Sequence, residues 1–467
     1  MGLDIPSPLA WAQRHFGAVK LRDRRRTRRA VQIAARMMGN PAASLPTQMR
    51  TASALKAAYR LLAQKDASYQ ALLTPHWEQT RQAARQEPQV LLIQDTTQLD
   101  YTHHPTTEGL GPVGDGHGRG LHLHTALAVV PAPRQVLGIA YQEPFLRQPA
   151  PAGQDSKSRR RRPRESQVWT RAVRAIGPPP AGGQWMHVGD AYADIYEFMV
   201  ACRQEKCHFL IRVAQDRRIQ DETCARLFAL IAALPAQGTG TLDLPARAPR
   251  TKRIIEVSAS KKRPARQAQV QISFGATTIL PPAGSSFAEP LPVWVVRVWE
   301  LDPPPEVPEP VDWRLLTSLP ITTLDAAWEL TPWYKCRWLA EDYHQCLKTG
   351  CSIEKRQLQE GERLIRLLGF LAPVAVRLLQ LRELARLAPE RLATEALPRD
   401  LVHLVATLAE VPPATLTVAR FWRAVAGLGG YLGRRRDGPP GWKTLWRGWL
   451  YVQTLLEGVH LASRLPP

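Results

Sequence analysis

Tyr334, Arg337, Glu341 and Lys348 are the residues whose types and spacing point most directly to chemistry. They lie in the run Trp333-Tyr-Lys-Cys-Arg-Trp-Leu-Ala-Glu-Asp-Tyr-His-Gln-Cys-Leu-Lys348. On a helix turning about 100° per residue, these positions fall within an arc of roughly 60°. One helical face over Thr322 to Lys348 therefore presents a phenol, a guanidinium, a carboxylate and an ammonium. A core face excludes isolated charges because desolvating them is expensive. A carboxylate flanked by two cations suits a place where a metal ion and a phosphate backbone meet. The same spacing also describes a solvated face laced with i,i+4 ion pairs, and spacing alone does not choose between the two.

Two more acids stand at informative places. Asp95 closes the apolar run Val90-Leu-Leu-Ile-Gln-Asp95, and Asp190 closes Trp185-Met-His-Val-Gly-Asp190. Such runs read as buried strands with a carboxylate at the tip. Brought together, Asp95, Asp190 and Glu341 could hold two divalent ions about 3.5–4 Å apart, which suffices for in-line phosphoryl displacement without a protein nucleophile. Magnesium suits such a set because it prefers carboxylate oxygens, with manganese as a substitute. Taken singly, Asp95 and Asp190 also read as helix N-caps or turn residues.

The elements around these acids follow a recognisable order. Residues 7–85 read as helices, with the cationic run Leu21-Arg-Asp-Arg-Arg-Arg-Thr-Arg-Arg29 inside them. After the Val90 strand come a Gly-rich loop, Gly109 to Gly120, and strands at His122 to Val130 and Gln135 to Gln142. A polar, basic stretch at 150–165 precedes a helix at Glu165 to Ile176, the Trp185 strand, a helix at Asp194 to Arg203 and a strand at His208 to Val213. Residues 215–312 read as an inserted β-rich subdomain, with alternation at Ile254 to Val257, Val270 to Phe274 and Val293 to Val298. The strand Trp313-Arg-Leu-Leu-Thr317 leads into the Tyr334 helix, and 362–467 are mostly helical.

Composition limits the partners. The 467 residues carry a formal net charge of +21, which favours a polyanion, nucleic acid before membrane. With 44% apolar residues, most of the chain should fold. The six cysteines include no C-x-x-C pair, so they read as free thiols in a reducing compartment. No signal peptide is expected, and Pro373 and Arg377 interrupt the longest apolar stretch, Leu367 to Leu381, so no membrane span is expected. These features predict a cytoplasmic, DNA-associated protein.

The motifs together resemble the IS4 family of bacterial insertion-sequence transposases, including enzymes of the Tn5 type. The family's Y-(2)-R-(3)-E-(6)-K signature is matched by Tyr334, Arg337, Glu341 and Lys348, followed by Thr349-Gly350. Asp95-Thr-Thr-Gln-Leu-Asp-Tyr101 and Gly189-Asp-Ala-Tyr-Ala-Asp194 resemble the segments holding the family's two catalytic aspartates. The resemblance extends to Phe16–Arg29, Ala58–Arg60, Val374–Arg382 and Gly427–Trp449. It implies an α/β protein with three parts. Residues 1–85 would be a helical DNA-binding domain, and 86–361 an RNase H-like mixed-sheet core interrupted at about 215–312. Residues 362–467 would be a helical dimerisation domain. It further implies cut-and-paste transposition, in which end nicking, hairpin formation and resolution, and strand transfer use Asp95, Asp190 and Glu341 as the metal-binding triad. Tyr334, Arg337 and Lys348 would grip phosphates near a flipped base. Trp313 would stack on that base, although it also reads as a sheet residue packed in the core. Arg25, Arg26, Arg29 and Arg60, with Arg212, would contact double-stranded DNA of the terminal repeats, and a homodimer would form the synaptic complex with target DNA. Ala191, Gln345 and Ala63 depart from the basic residues of close relatives and put the strength of DNA grip in doubt.

Other features carry less. Gly114-Asp-Gly-His-Gly-Arg-Gly120 precedes a strand and lacks a G-K-[ST] ending, so it does not read as a phosphate loop. His122 and His124 share one strand face without a third ligand in register, which disfavours zinc. Two other functions remain open from the residues: a catalytically silent DNA-binding derivative acting as a repressor, and a structure-selective nuclease acting on junctions.

Overall fold

The computed structural model describes residues 7–148, 153, 164–244, 266–285, 287, 289–304, 307, 310–434, 437 and 440–463. The arginine run Arg159–Arg162 and the strand expected at Ile254 to Val257 lie outside the described residues.

Five helices open the chain: α1 (Pro8–Phe16), α2 (Arg24–Gly39), α3 (Leu45–Met49), α4 (Ala52–Leu62) and α5 (Tyr69–Ala84). Each is started by a side chain that satisfies an otherwise orphaned backbone N–H. Ser7, Asp23, Ser44, Thr51 and Ser68 accept from Ala10, Arg25, Thr47, Ala54 and Ala71 respectively.

A sheet follows. β1 (Gln89–Asp100), β2 (Gly111–Val113), β3 (Gly118–Val130) and β4 (Gln135–Phe145) come first. Then α6 (Gln167–Ile176) leads to β5 (Gln184–Gly189), and α7 (Tyr196–Gln204) to β6 (His208–Arg212). β3 lies antiparallel to β1 and β4, whereas β5 runs parallel to β1 and β6 parallel to β5. The remaining strands are β7 (Ile219–Gln220), β8 (Gly238–Leu244), β9 (Arg266–Ile279), β10 (Leu291–Glu300) and β11 (Asp312–Thr317), with α8 (Leu227–Ala233) between β7 and β8.

One expectation is corrected here. β1 does not end at Asp95 but runs to Asp100, so this carboxylate is internal to its strand. The described strands of the β-rich segment 215–312 join the same sheet. β11 pairs with β6, β10 with β11 and β9 with β10, so the eleven strands among the described residues make one sheet. The sequence alternation identified strands, but only backbone pairing shows which edge they extend.

After β11 come α9 (Leu324–Lys335) and α10 (Trp338–Gln345), then a single π-turn at Cys346–Gly350. The single helix expected over Thr322 to Lys348 is thus broken at Cys336–Arg337 and rewound at its end. The C-terminal helices are α11 (Gly361–Leu387), α12 (Ala393–Ala396), α13 (Arg399–Leu408), α14 (Val418–Leu428) and α15 (Trp442–Ala462).

The sheet separates two apolar cores. One joins Leu91, Ile93 and Leu99 of β1 to α1–α5 and to the C-terminal helices, gathered around α11. The other packs Val90 and Leu92 against Trp169 of α6 and Phe198 of α7. By length and composition α11 could cross a membrane, but 78% of its apolar window is buried inside the protein. It is the helix around which the terminal segments pack. All six cysteines are free, with Cys224 alone partly exposed.

Glycines set the contact between α14 and α15. A Cβ built on Gly448 would stand 1.6 Å from the Val425 carbonyl oxygen, and one on Gly429 would stand 1.9 Å from that of Thr444. These obstacles are backbone, which cannot rotate away. Gly448→Ala should therefore push the helices apart and lower unfolding free energy by about 3 kcal/mol. Urea denaturation monitored by circular dichroism measures the loss, and an unchanged midpoint would refute this account of the contact.

Candidate functional site

The parallel pairing of β1 with β5 ends at Ile93 and Val188. Asp95 and Asp190 follow two residues later on their respective chains, where the strands part. Openings at the carboxyl ends of parallel strands are common ligand sites in α/β sheets. Asp190 sits at the start of a one-turn 3-10 helix, Ala191–Ala193, and its Oδ1 accepts from Tyr192 N at 2.9 Å. That turn is anchored by buried Asp194. Its Oδ2 accepts from the backbone N–H groups of Ala214 and Gln215 at 2.8 Å each, and its Oδ1 accepts from Arg217 Nε at 2.8 Å. Asp194 is thus a structural residue of the motif that carries Asp190.

Glu341 arrives on α10. Arg337, just before that helix, donates from Nη1 to Glu341 Oε1 at 3.0 Å and stacks over the Trp338 ring at 4.6 Å. The three carboxylates share one electrostatic neighbourhood. Burial pushes the Asp95 carboxyl up to about 7, with the Asp190 charge adding to the rise and the Arg337 guanidinium opposing it. Asp190 is also shifted up by burial, against the pull of its hydrogen bond from Tyr192 and of Arg337. Among the described residues, no group of three or more His, Cys, Asp or Glu side chains stands close enough to hold a metal ion. The carboxylates are gathered yet apart, as like charges around one guanidinium should be.

Tyr334 joins this group. It is buried, hydrogen-bonded to Arg337 and within the fields of Arg212 and Asp190. Trp313 meets the Tyr334 ring edge-on at 5.6 Å and is half-buried in β11. Arg212, exposed at the end of β6, donates to the Asp312 carbonyl at 3.4 Å and draws Asp190 downward. Lys348, in the π-turn, pairs with Glu354 at 3.2 Å, and its charge acts on both Asp100 and the His344 ring beside Asp95.

Two residues near the acids escaped the sequence reading. Trp338 is 41% exposed beside Arg337 and offers an aromatic face at the site. His344 is buried, with Nδ1 3.7 Å from Asp95 Oδ2 and Nε2 3.4 Å from Thr125 Oγ1. Burial lowers His344 to about 3, so it faces Asp95 as a neutral ring. Its signal was its place three residues after Glu341, on the same side of a helix.

The N-terminal arginines separate into two groups. Arg25 and Arg60 are exposed and Arg29 partly so, as expected of groups that meet a polyanion, and Arg24 and Arg28 share their exposure. Arg26 instead pairs with Asp66 at 2.9 Å, as does Arg22 at 3.3 Å. Cations in the first turn of α2 oppose the helix dipole, and Asp23 and Asp66 offset them only in part. An anion at that helix start relieves the opposition. Of the three departures, Ala63 is exposed and Ala191 partly buried, while Gln345 donates to Thr349 Oγ1.

Residues 8–67 match the transposase DNA-binding family. That match covers α1 to α4, including the arginine run, and supports a transposase with DNA as its partner. Across the whole chain, a cryo-EM structure of a piggyBac transposase synaptic complex with hairpin DNA is similar at a TM-score of 0.37 and 9% identity. The similarity covers 99% of this chain and 86% of that one. A likeness of that size assigns no residue and no activity.

The raised Asp95 carboxyl has a consequence for stability. Below the ordinary aspartate value both folded and unfolded chains hold the proton. Between there and about 7 the folded chain keeps it while the unfolded chain releases it, so this group's contribution to stability falls as pH rises. Asp95→Asn should therefore raise the melting temperature by a few degrees at pH 8 in chelator. The gain should vanish near pH 4. A gain independent of pH, read by differential scanning fluorimetry, would contradict the assignment.

Proposed function

We propose that this chain is a cut-and-paste DNA transposase of the IS4 type, acting through Asp95, Asp190 and Glu341. The observation that carries the proposal is the convergence of these carboxylates on Arg337 where β1 and β5 part. The strand order β4-β3-β1-β5-β6, antiparallel and then parallel, supports an RNase H-like core beneath them. The matched segment at 8–67 supports the accompanying DNA-binding role of the N-terminal helices.

Three carboxylates facing one guanidinium leave an excess of negative charge in a partly buried place, and their oxygens are the donors magnesium prefers. Asp95, Asp190 and Glu341 would hold the ion, with manganese as a substitute. When bound, it supplies activation of a water or 3′-hydroxyl and neutralises charge on the leaving oxygen. The protein's own groups do the rest. Arg337 keeps Glu341 oriented and presents its guanidinium to a phosphate. Arg212 extends that cationic edge. Trp313, held edge-on by Tyr334, and the exposed ring of Trp338 offer surfaces on which an unstacked base can rest. Lys348, paired with Glu354, would reach a phosphate only by exchanging partners.

At the other end of the molecule, Arg24, Arg25, Arg28, Arg29 and Arg60 would neutralise phosphates of the transposon end. The C-terminal helices from about 362 onward would supply dimer contacts in the synapse, within a bacterial cytoplasm.

The deciding experiment incubates purified protein with magnesium and a duplex carrying the element's terminal repeat, resolved on a denaturing gel. Nicks followed by hairpin species are expected for the wild type. Glu341→Ala should abolish both and leave end binding within about twofold; a variant that loses binding alone would remove Glu341 from the metal set. For the N-terminal contacts, Arg25→Ala should reduce the slope of log affinity against log salt by roughly 1. Arg26→Ala should change it less, because Asp66 already occupies that guanidinium. Equal slopes for both variants and wild type would move the DNA away from α2.

A further inference from the structure

Backbone pairing does not set the distance between the two aspartates, because the β1–β5 ladder stops at Ile93 and Val188. On the opposite face of the sheet, a line of side chains crosses three adjacent strands at that point. Thr96 Oγ1 lies 2.7 Å from His124 Nδ1, His124 Nε2 lies 2.9 Å from Gln94 Oε1, and Gln94 Nε2 lies 2.7 Å from His187 Nδ1. Gln94 and Thr96 flank Asp95 in β1, so their side chains leave the face opposite to it. His187 stands three residues before Asp190 in β5, and His124 faces Thr96 from β3. Gln94, His124 and His187 are fully buried.

Each link joins a group that can donate to one that can accept, and reversing the Gln94 amide together with both ring tautomers keeps every link. Burial lowers both rings to about 3, so each stands neutral in the line. The rings are also fixed by aromatic neighbours: His124 meets Trp169 edge-on at 4.8 Å, and His187 meets Phe198 at 6.1 Å and 86°. His187 Nε2 at the end of the line has no partner among the described residues, and replacing an inner member by an apolar side chain would strand a buried donor or acceptor of its neighbour as well. Apolar side chains would fill this space without that demand, so the line contributes alignment beyond packing.

We infer that Thr96, His124, Gln94 and His187 form a positioning line that holds β1 and β5 at a set spacing where they part, and so sets the gap between Asp95 and Asp190 that a divalent ion must fit. This rests on the carboxylate reading above and deepens it. All four act through the strands; none is a catalytic residue. The prediction is a loss of ion affinity without loss of DNA binding.

The test measures Mn2+ binding to the full chain by electron paramagnetic resonance, with thermal denaturation and duplex-DNA binding in chelator alongside. His187→Leu fills the space and makes no hydrogen bond with Gln94. His187→Asn places an amide group where Nδ1 stands and restores a hydrogen-bonding partner. Mn2+ affinity should fall on the order of 10-fold in the leucine variant and return close to wild type in the asparagine variant, with DNA affinity unchanged in both. A folded leucine variant with wild-type Mn2+ affinity would overturn the inference. Should that variant not fold, Thr96→Val breaks only the outermost link; weaker Mn2+ binding supports the line and wild-type binding overturns it. If the wild type itself holds no Mn2+ that Asp190→Ala removes, the carboxylate reading fails first and the positioning line falls with it.

Discussion

The arrangement at the sheet opening depends on one electrostatic constraint: Arg337, helped at Asp190 by Arg212, stands against three carboxylates. Coulomb repulsion between Asp95, Asp190 and Glu341 grows as water is excluded, and Arg337 offsets only part of it. Its direct hydrogen bond goes to Glu341, and its ring stacking with Trp338 prevents it from swinging away. Burial first, and the neighbouring carboxylates after it, push the two aspartates upward.

Holding like charges together requires a stiff frame, and the frame has two faces. On the carboxylate side, α10 packs over the sheet, and Gln142 donates to Thr125 and Tyr343 while accepting from Tyr69. This ties α5, β3, β4 and α10 into one buried network. On the far side, the histidine–glutamine line crosses β3, β1 and β5 between α6 and α7. Asp95 is also held by its pairing with Thr125 of β3, whereas the β1–β5 ladder stops short of both aspartates.

The N-terminal helices present the complementary problem. Their arginines repel one another at a helix start that already disfavours cations, so the exposed members await an anion while Arg22 and Arg26 are partly neutralised by Asp66. The same core that surrounds α11 holds these helices to the sheet, including Phe16 stacked on Phe370 at 5.3 Å. A positively charged helical surface and a negative cleft are thus parts of one folded body.

Much of this was legible without coordinates. Apolar runs next to Asp95 and Asp190 marked the two strands, and the charge run marked the polyanion surface. Residue type and local period determine these features, because helices and strands form from short-range contacts. What only tertiary structure decided was where the elements meet. That Asp95 lies inside its strand follows from pairing with β3, and that the described strands of 215–312 extend the main sheet follows from pairing between β10 and β11. Lys348 follows a π-turn and pairs with Glu354, and His124, which the sequence disfavours as a zinc ligand, proves to be a link between Thr96 and Gln94. Each of these outcomes depends on partners distant in sequence, and no local pattern of residues encodes which partner a buried donor will find.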